Sequence, residues 1–197
     1  FDVSDGLQGN VFTVGAYYKS HRSGEMFFGG INGFNAFYPE SIRVNPYIPP
    51  IVITSFQLFN KSGEVQDNSP LQKAITEAEE IMLSYKDNMI SFEFAALDYT
   101  LSEKNQYAYM MEGVEKDWVY SGTRRFVTYT HLEPGTYIFK VKGSNNDGVW
   151  NEEGTSVTII ITPPFWETWW FRIFVATFVV GGTLGGFYLR VRTINAQ

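Results

Sequence analysis

The chain has 197 residues, room for one ordinary domain and a fragment but not for a large multidomain enzyme. Hydrophobic residues make up 44% and charged residues 18%, which excludes a mostly disordered chain. With 15 Lys and Arg against 21 Asp and Glu, the net charge of −6 argues against nucleic acid as a partner, because that affinity comes mainly from neutralised phosphates, and the absence of cysteine excludes disulfides, thiolate catalysis and cysteine metal sites.

The sequence opens at Phe1 with no signal-peptide pattern, so a fragment of a longer protein is expected. Aromatics reach 17%, and together with 18 Gly and 8 Pro they favour short strands and turns over helix bundles. Residues 1–42 contain three short strand candidates, 11–18, 25–28 and 34–38, punctuated by Gly29-Gly30 and Asn32-Gly33. Three such strands cannot bury two faces alone, so they read as a piece of a larger array. Residues 43–50 (RVNPYIPP) hold three prolines and read as an extended, semi-rigid linker.

Residues 51–162 read as the main domain. Strands are expected at 51–59, 81–85, 89–97, 107–112, 118–120, 126–130, 136–144 and 156–162. Ser69-Pro70 followed by Gln72 has the form of a short helix start. Ile90, Phe92 and Phe94 alternate with Met89, Ser91 and Glu93, the pattern of a half-buried strand. Roughly seven or eight strands in about 110 residues predict an all-β fold, an immunoglobulin- or fibronectin-III-like β-sandwich. Pro134-Gly135 immediately before Tyr137 predicts a tyrosine corner, in which the hydroxyl bonds back to upstream backbone.

Ile173 to Leu189 carries no charge. At about 1.5 Å per residue it spans roughly 26 Å, and with Phe171 a membrane helix over 171–189 is predicted. Residues 163–170 read as an aromatic juxtamembrane connector. Phe165, Trp166, Trp169, Trp170 and Phe171 form an interfacial belt, and Arg190 and Arg192 place the following segment, 190–197, on the cytoplasmic side. Gly181/Gly185 and Gly182/Gly186 repeat at four-residue spacing, which puts them on one helix face and suggests a dimer face.

Three separated motifs then carry a resemblance. Tyr107-Ala-Tyr-Met-Met-Glu-Gly-Val-Glu-Lys-Asp-Trp118, Val127-Thr-Tyr-Thr-His-Leu-Glu-Pro-Gly-Thr-Tyr137 and Val141-Lys-Gly-Ser-Asn-Asn-Asp-Gly-Val-Trp150 resemble the triple-tyrosine (Y_Y_Y) domain. Residues 24–39 resemble the last repeat of the associated two-component-regulator propeller, and Phe165 to Trp170 the exit into the membrane. The resemblance implies a bacterial periplasmic sensor: two seven-bladed propellers, the sandwich, one inner-membrane helix and a cytoplasmic output, most often a hybrid histidine kinase. It also implies signature positions at Tyr107, Tyr109, Trp118, Tyr129, Pro134, Gly135, Tyr137, Gly148 and Trp150. An oligosaccharide ligand is expected on the absent propellers, and a homodimer as the working unit.

Within that setting the expected role is mechanical. Pro163 and Pro164 form a stiff connector that passes displacement, and Trp166, Trp169 and Trp170 fix the helix depth. No catalytic residue, metal site or cofactor is expected. His21 and His131 lack zinc spacing. Glu112, Glu115 and Asp117 read as a solvated turn, and Asn145 to Gly148 as a hairpin turn rather than a calcium loop. Gly29, Gly30 and Gly33 make no phosphate loop, and the acceptor pattern Asn60-Lys-Ser62 arises by chance. The tyrosine hydroxyls are expected to bond turn backbone. The rival reading is a carbohydrate-binding or scaffolding sandwich, with Trp118 and Trp150 stacking on sugar rings.

Overall fold

The structure, a computed structural model, describes residues 2–59, 61–62, 73–87 and 89–195. Its N-terminal part is a three-stranded antiparallel sheet in the order β1 (Phe12–Lys19), β2 (Met26–Gly30), β3 (Gly33–Phe37). Aromatic rings hold both faces together. Phe28 sits between Phe12 and Phe37, while Phe27 meets Tyr18 and Phe34 on the other side. None of these strand residues is fully buried, as expected of a sheet too small to cover itself.

The chain then builds two packed sheets. The first comprises β4 (Ile51–Leu58), β5 (Lys61–Ser62), β7 (Met89–Ala96) and β10 (Phe126–Thr130) in the order β10-β7-β4-β5. The second comprises β6 (Glu80–Ser84), β8 (Tyr107–Glu112), β9 (Val119–Gly122), β11 (Gly135–Ser144) and β12 (Trp150–Thr162) in the order β6-β12-β11-β8-β9. Pairing is antiparallel throughout the sandwich except for β12 with β6, which run parallel.

The core lies between the sheets. Phe92 of β7 stacks on Phe139 of β11 with ring centroids 4.3 Å apart, and Phe94, Tyr109 and Tyr129 close around the same phenyl ring. Ile90, Phe92 and Phe94 are buried as their alternation requires. Ser91, on the opposite face, is also buried, with its hydroxyl 2.8 Å from that of Thr128. Ile81, Val157 and Ile159 extend the core beneath β6 and β12.

Three elements differ from expectation. β12 begins at Trp150 rather than Ser156, because Asn151-Glu-Glu-Gly154 is a bulge inside a strand and not a loop before one. The two-residue strand β5 has no alternation to reveal it. The α-helix α1 (Trp169–Asn195) starts two positions before Phe171, so Trp169 and Trp170 belong to its first turn rather than to the connector. The proposed helix start at Ser69, Pro70 and Gln72 lies outside the described residues, as does Asn60.

Candidate functional site

The candidate site is a continuous path from the upstream junction, through the sandwich, to α1. At the upstream end, Lys104 bridges the N-terminal sheet region and the sandwich. Its ammonium lies 3.0 Å from Asp2 and 2.7 Å from Asp5. Hydrogen bonds from Ser4, and then the Lys104 contact, hold the Asp2 carboxyl well below the usual carboxylate range; Lys104 also lowers the Asp5 carboxyl, and the two carboxylates lift the Lys104 ammonium above its ordinary value.

The segment 43–50 is extended, but it is held down by side chains. Asn45 donates its backbone N–H to Asp147 (2.6 Å) and its amide to Asp98 (2.9 Å). Asn145, fully buried, donates to the carbonyls of Asn45 and Tyr47 at 2.7 and 2.8 Å. Its Oδ1 accepts from the N–H groups of Asp147 and Val149, shaping the hairpin between β11 and β12. Gly148 takes a left-handed φ of 81° in that turn. Asn151 donates to the Pro49 carbonyl at 2.9 Å. The hairpin turn foreseen at Asn145 to Gly148 is therefore also a clamp on the linker.

Of the signature tyrosines, Tyr109 and Tyr129 meet Phe139 from the two sheets and Tyr107 meets Phe94, and the hydroxyls of all four take different partners. Tyr137 donates to the Glu133 carbonyl at 3.0 Å, the back-bond of a tyrosine corner, above Pro134 and Gly135. Tyr107 receives the Ala96 N–H (3.2 Å), a strand donor. Tyr109 receives Arg124 (3.4 Å), and Tyr129 donates to Glu115 (3.3 Å). Of the four, Tyr137 alone bonds turn backbone. Burial, with the Glu115 charge beside it, pushes the Tyr129 hydroxyl far above the ordinary phenol range.

Glu115 and Glu112 also depart from the solvated-turn expectation. Glu115 accepts the Met111 N–H at 2.6 Å, and Glu112 pairs with Lys140. His131 stands exposed with φ 59° just beyond β10, while His21 lies in the exposed turn between β1 and β2, far from it in sequence. Among the described residues no three metal-ligating side chains converge.

Trp118 and Trp150 face Lys142. The Lys142 ammonium lies 4.8 Å from the Trp118 ring centroid and 5.6 Å from those of Tyr120 and Trp150. Glu152 closes the group at 2.7 Å and raises the lysine's affinity for its proton. Cation–π attraction and the ion pair together keep this side chain charged although Lys142 is only 7% exposed. Trp118 and Trp150, offered as sugar platforms in the rival reading, are half-buried around this cation.

At the membrane end, Thr162 donates its hydroxyl to the Leu83 carbonyl (3.0 Å), and Tyr85 N–H returns to the Thr162 carbonyl (3.1 Å). Pro163 and buried Pro164 follow, then a 3-10 turn over Phe165–Glu167. Trp166 meets Tyr85 edge-on at 5.3 Å, and Phe165 meets both Trp166 and Phe171. The Thr168 carbonyl receives the Arg172 N–H, starting α1. The stretch Trp169–Tyr188 is 20 residues long, apolar and unburied, long enough to cross a bilayer. A Cβ added at Gly181, Gly182, Gly185 or Gly186 would meet open space.

Sequence reasoning missed Asn45, Lys142, Asn145, Asn151 and Tyr85. Asn145 sat in a turn whose type was legible, but its burial depends on a linker about a hundred positions away. Lys142 fell on the outward beat of β11, with no local mark that three rings would cover it.

A β-sandwich clamped to the linker before it and followed by an apolar helix long enough to cross a bilayer defines the class. Residues 98–162 match the Y_Y_Y domain family. Over 172 residues, 86% of its length, the chain is 36% identical to Histidine kinase P4 of Formosa agariphila. It is also similar to the extracellular domain described as that of the hybrid two-component system BT3049 of B. thetaiotaomicron, at 33% identity and a TM-score of 0.65 over 83% of this chain. The corresponding domain of BT4673 from the same organism matches over 77% at 26% identity and a TM-score of 0.55. The chain thus contains a Y_Y_Y domain and resembles, beyond it, the extracellular regions of two-component sensors. It spans 12% of the Formosa kinase and 22% and 20% of the two solved chains.

Proposed function

We propose that this chain is the signal-coupling segment of a single-pass sensor, most simply a hybrid histidine kinase of the bacterial inner membrane. Upstream propellers take a glycan-derived oligosaccharide, and their rearrangement in a homodimer shifts the linker. The sandwich carries that shift to α1, which crosses from the periplasm with Arg190 and Arg192 on the cytoplasmic side. The paired glycines offer a face on which two helices approach. The observation that carries this reading is the course of β12. The strand starts where Asn151 holds the linker and ends at Thr162, next to Pro163, so one strand joins input to output. Two prolines lack N–H groups and have fixed φ, so they transmit displacement where a flexible linker would absorb it.

The test replaces Pro163 and Pro164 by Gly-Ser in the full-length receptor. A transcriptional reporter is driven by pools of glycan-derived oligosaccharides. Induction is expected to fall about tenfold with unchanged receptor abundance. Full induction through the Gly-Ser connector would contradict the reading.

A further inference from the structure

We infer that Asn151 is the joint through which the linker is geared to the bulge of β12, which makes it a positioning residue for coupling. The inference rests on the coupling role proposed above and names where displacement enters the strand. The register between β11 and β12 is regular up to Val141 opposite Thr155, then resumes with Gly143 opposite Asn151. Residues 152–154 thus stand against Lys142 alone. One side chain holds this irregularity and the linker together. Asn151 Oδ1 accepts the N–H groups of Glu153 (3.1 Å) and Gly154 (3.0 Å), while its Nδ2 donates to Pro49 (2.9 Å).

Both ends of the amide are in use, so it cannot turn to follow Pro49 without surrendering the bulge bonds. The bulge has little room of its own. Gly154 has φ 62°, and a Cβ there would lie 2.2 Å from the Val141 carbonyl oxygen. Glu152 is tied to Lys142, whose ammonium is enclosed by Trp118, Tyr120 and Trp150. A bulge pressed against its partner strand and latched on its outer side moves with β12. A displaced linker therefore acts on the strand rather than on a loose loop.

The test is amide hydrogen exchange on the 197-residue chain in lipid nanodiscs. Asn45→Ala releases the linker from Asp98 and Asn146 without touching the bulge. It is expected to speed exchange at Glu153 and Gly154 about tenfold. Asn151→Ala is expected to speed the same two amides and to make them indifferent to Asn45→Ala. Unchanged exchange at Phe92 and Phe139 reports an intact core. If a variant loses that core protection, Asn45→Asp replaces it, keeping an acceptor for Tyr47 while setting a carboxylate against Asp98. Faster exchange at Tyr47 with no change at Glu153 and Gly154 would overturn the inference. A responsive bulge in a receptor that signals through a Gly-Ser connector would sink the coupling role alone.

Discussion

Tyr137 and Gly113 show how much one position depends on its neighbour. Gly113 has φ 97°, and a Cβ there would lie 3.0 Å from Cδ1 of the Tyr137 ring. The glycine thus supplies both a left-handed backbone and the floor of the tyrosine corner. Tyr137→Phe removes one half-exposed hydrogen bond and is expected to cost about 0.5–1.5 kcal/mol. Gly113→Ala adds a left-handed alanine, about 1–2 kcal/mol, and must also displace the ring. Urea unfolding should therefore rank Gly113→Ala as the more damaging change, and the reverse order would refute this account of the corner. The corner was legible because its parts are adjacent in sequence: turn, then tyrosine, then an alternating strand. The roles of Lys142 and Asn151 were not. Each gets its environment from segments that only the fold brings together, and a lysine on the outward beat of a strand looks like any solvated one.

Elements whose identity rests on alternation were legible almost to the residue. The strand expected at 126–130 is β10, and that at 107–112 is β8. Elements shaped by irregular backbone were not. The polar run Asn151 to Gly154 concealed the first part of β12, since a bulge has the composition of a loop. The contact between the N-terminal sheet region and the sandwich was also invisible, because it rests on Lys104 meeting Asp2 and Asp5 across the fold. It carries a pH dependence whose sign follows from the lowered carboxyl pKa values. The stabilisation is fully present above the unfolded carboxylate pKa of about 3.9 and is lost as pH falls through the lower folded values. Being exposed, the pair is also screened by salt. Exchange of the Lys104 and Asp5 amides is expected to rise below about pH 4 and in molar salt, relative to the core amide of Phe92. Equal behaviour of the three amides, once corrected for intrinsic rates, would contradict an electrostatic junction.

At the scale of the whole molecule, the sandwich is built around one long strand. β12 pairs with β11 along most of its length and with parallel β6 at its membrane end. That end is closed by Thr162 on Leu83 and by Trp166 against Tyr85. From the linker clamp at Asn151, β12 leads through Pro163 and the turn Phe165–Glu167 into α1. The apolar helix and the sandwich were legible separately, from hydropathy and from alternation. The contacts at their junction were not, because the packing of Trp166 on Tyr85 and the burial of Pro164 have no local pattern.

The central claim is that β12 and α1 move as one body. The absence of native cysteine makes it directly measurable with spin labels. Ser156→Cys on β12 and Thr177→Cys on α1, both at exposed positions, give one label pair in nanodiscs. Pulsed dipolar spectroscopy should return a single narrow distance distribution, broadened when Pro163 and Pro164 are replaced by Gly-Ser. A distribution already broad with both prolines in place would contradict the account.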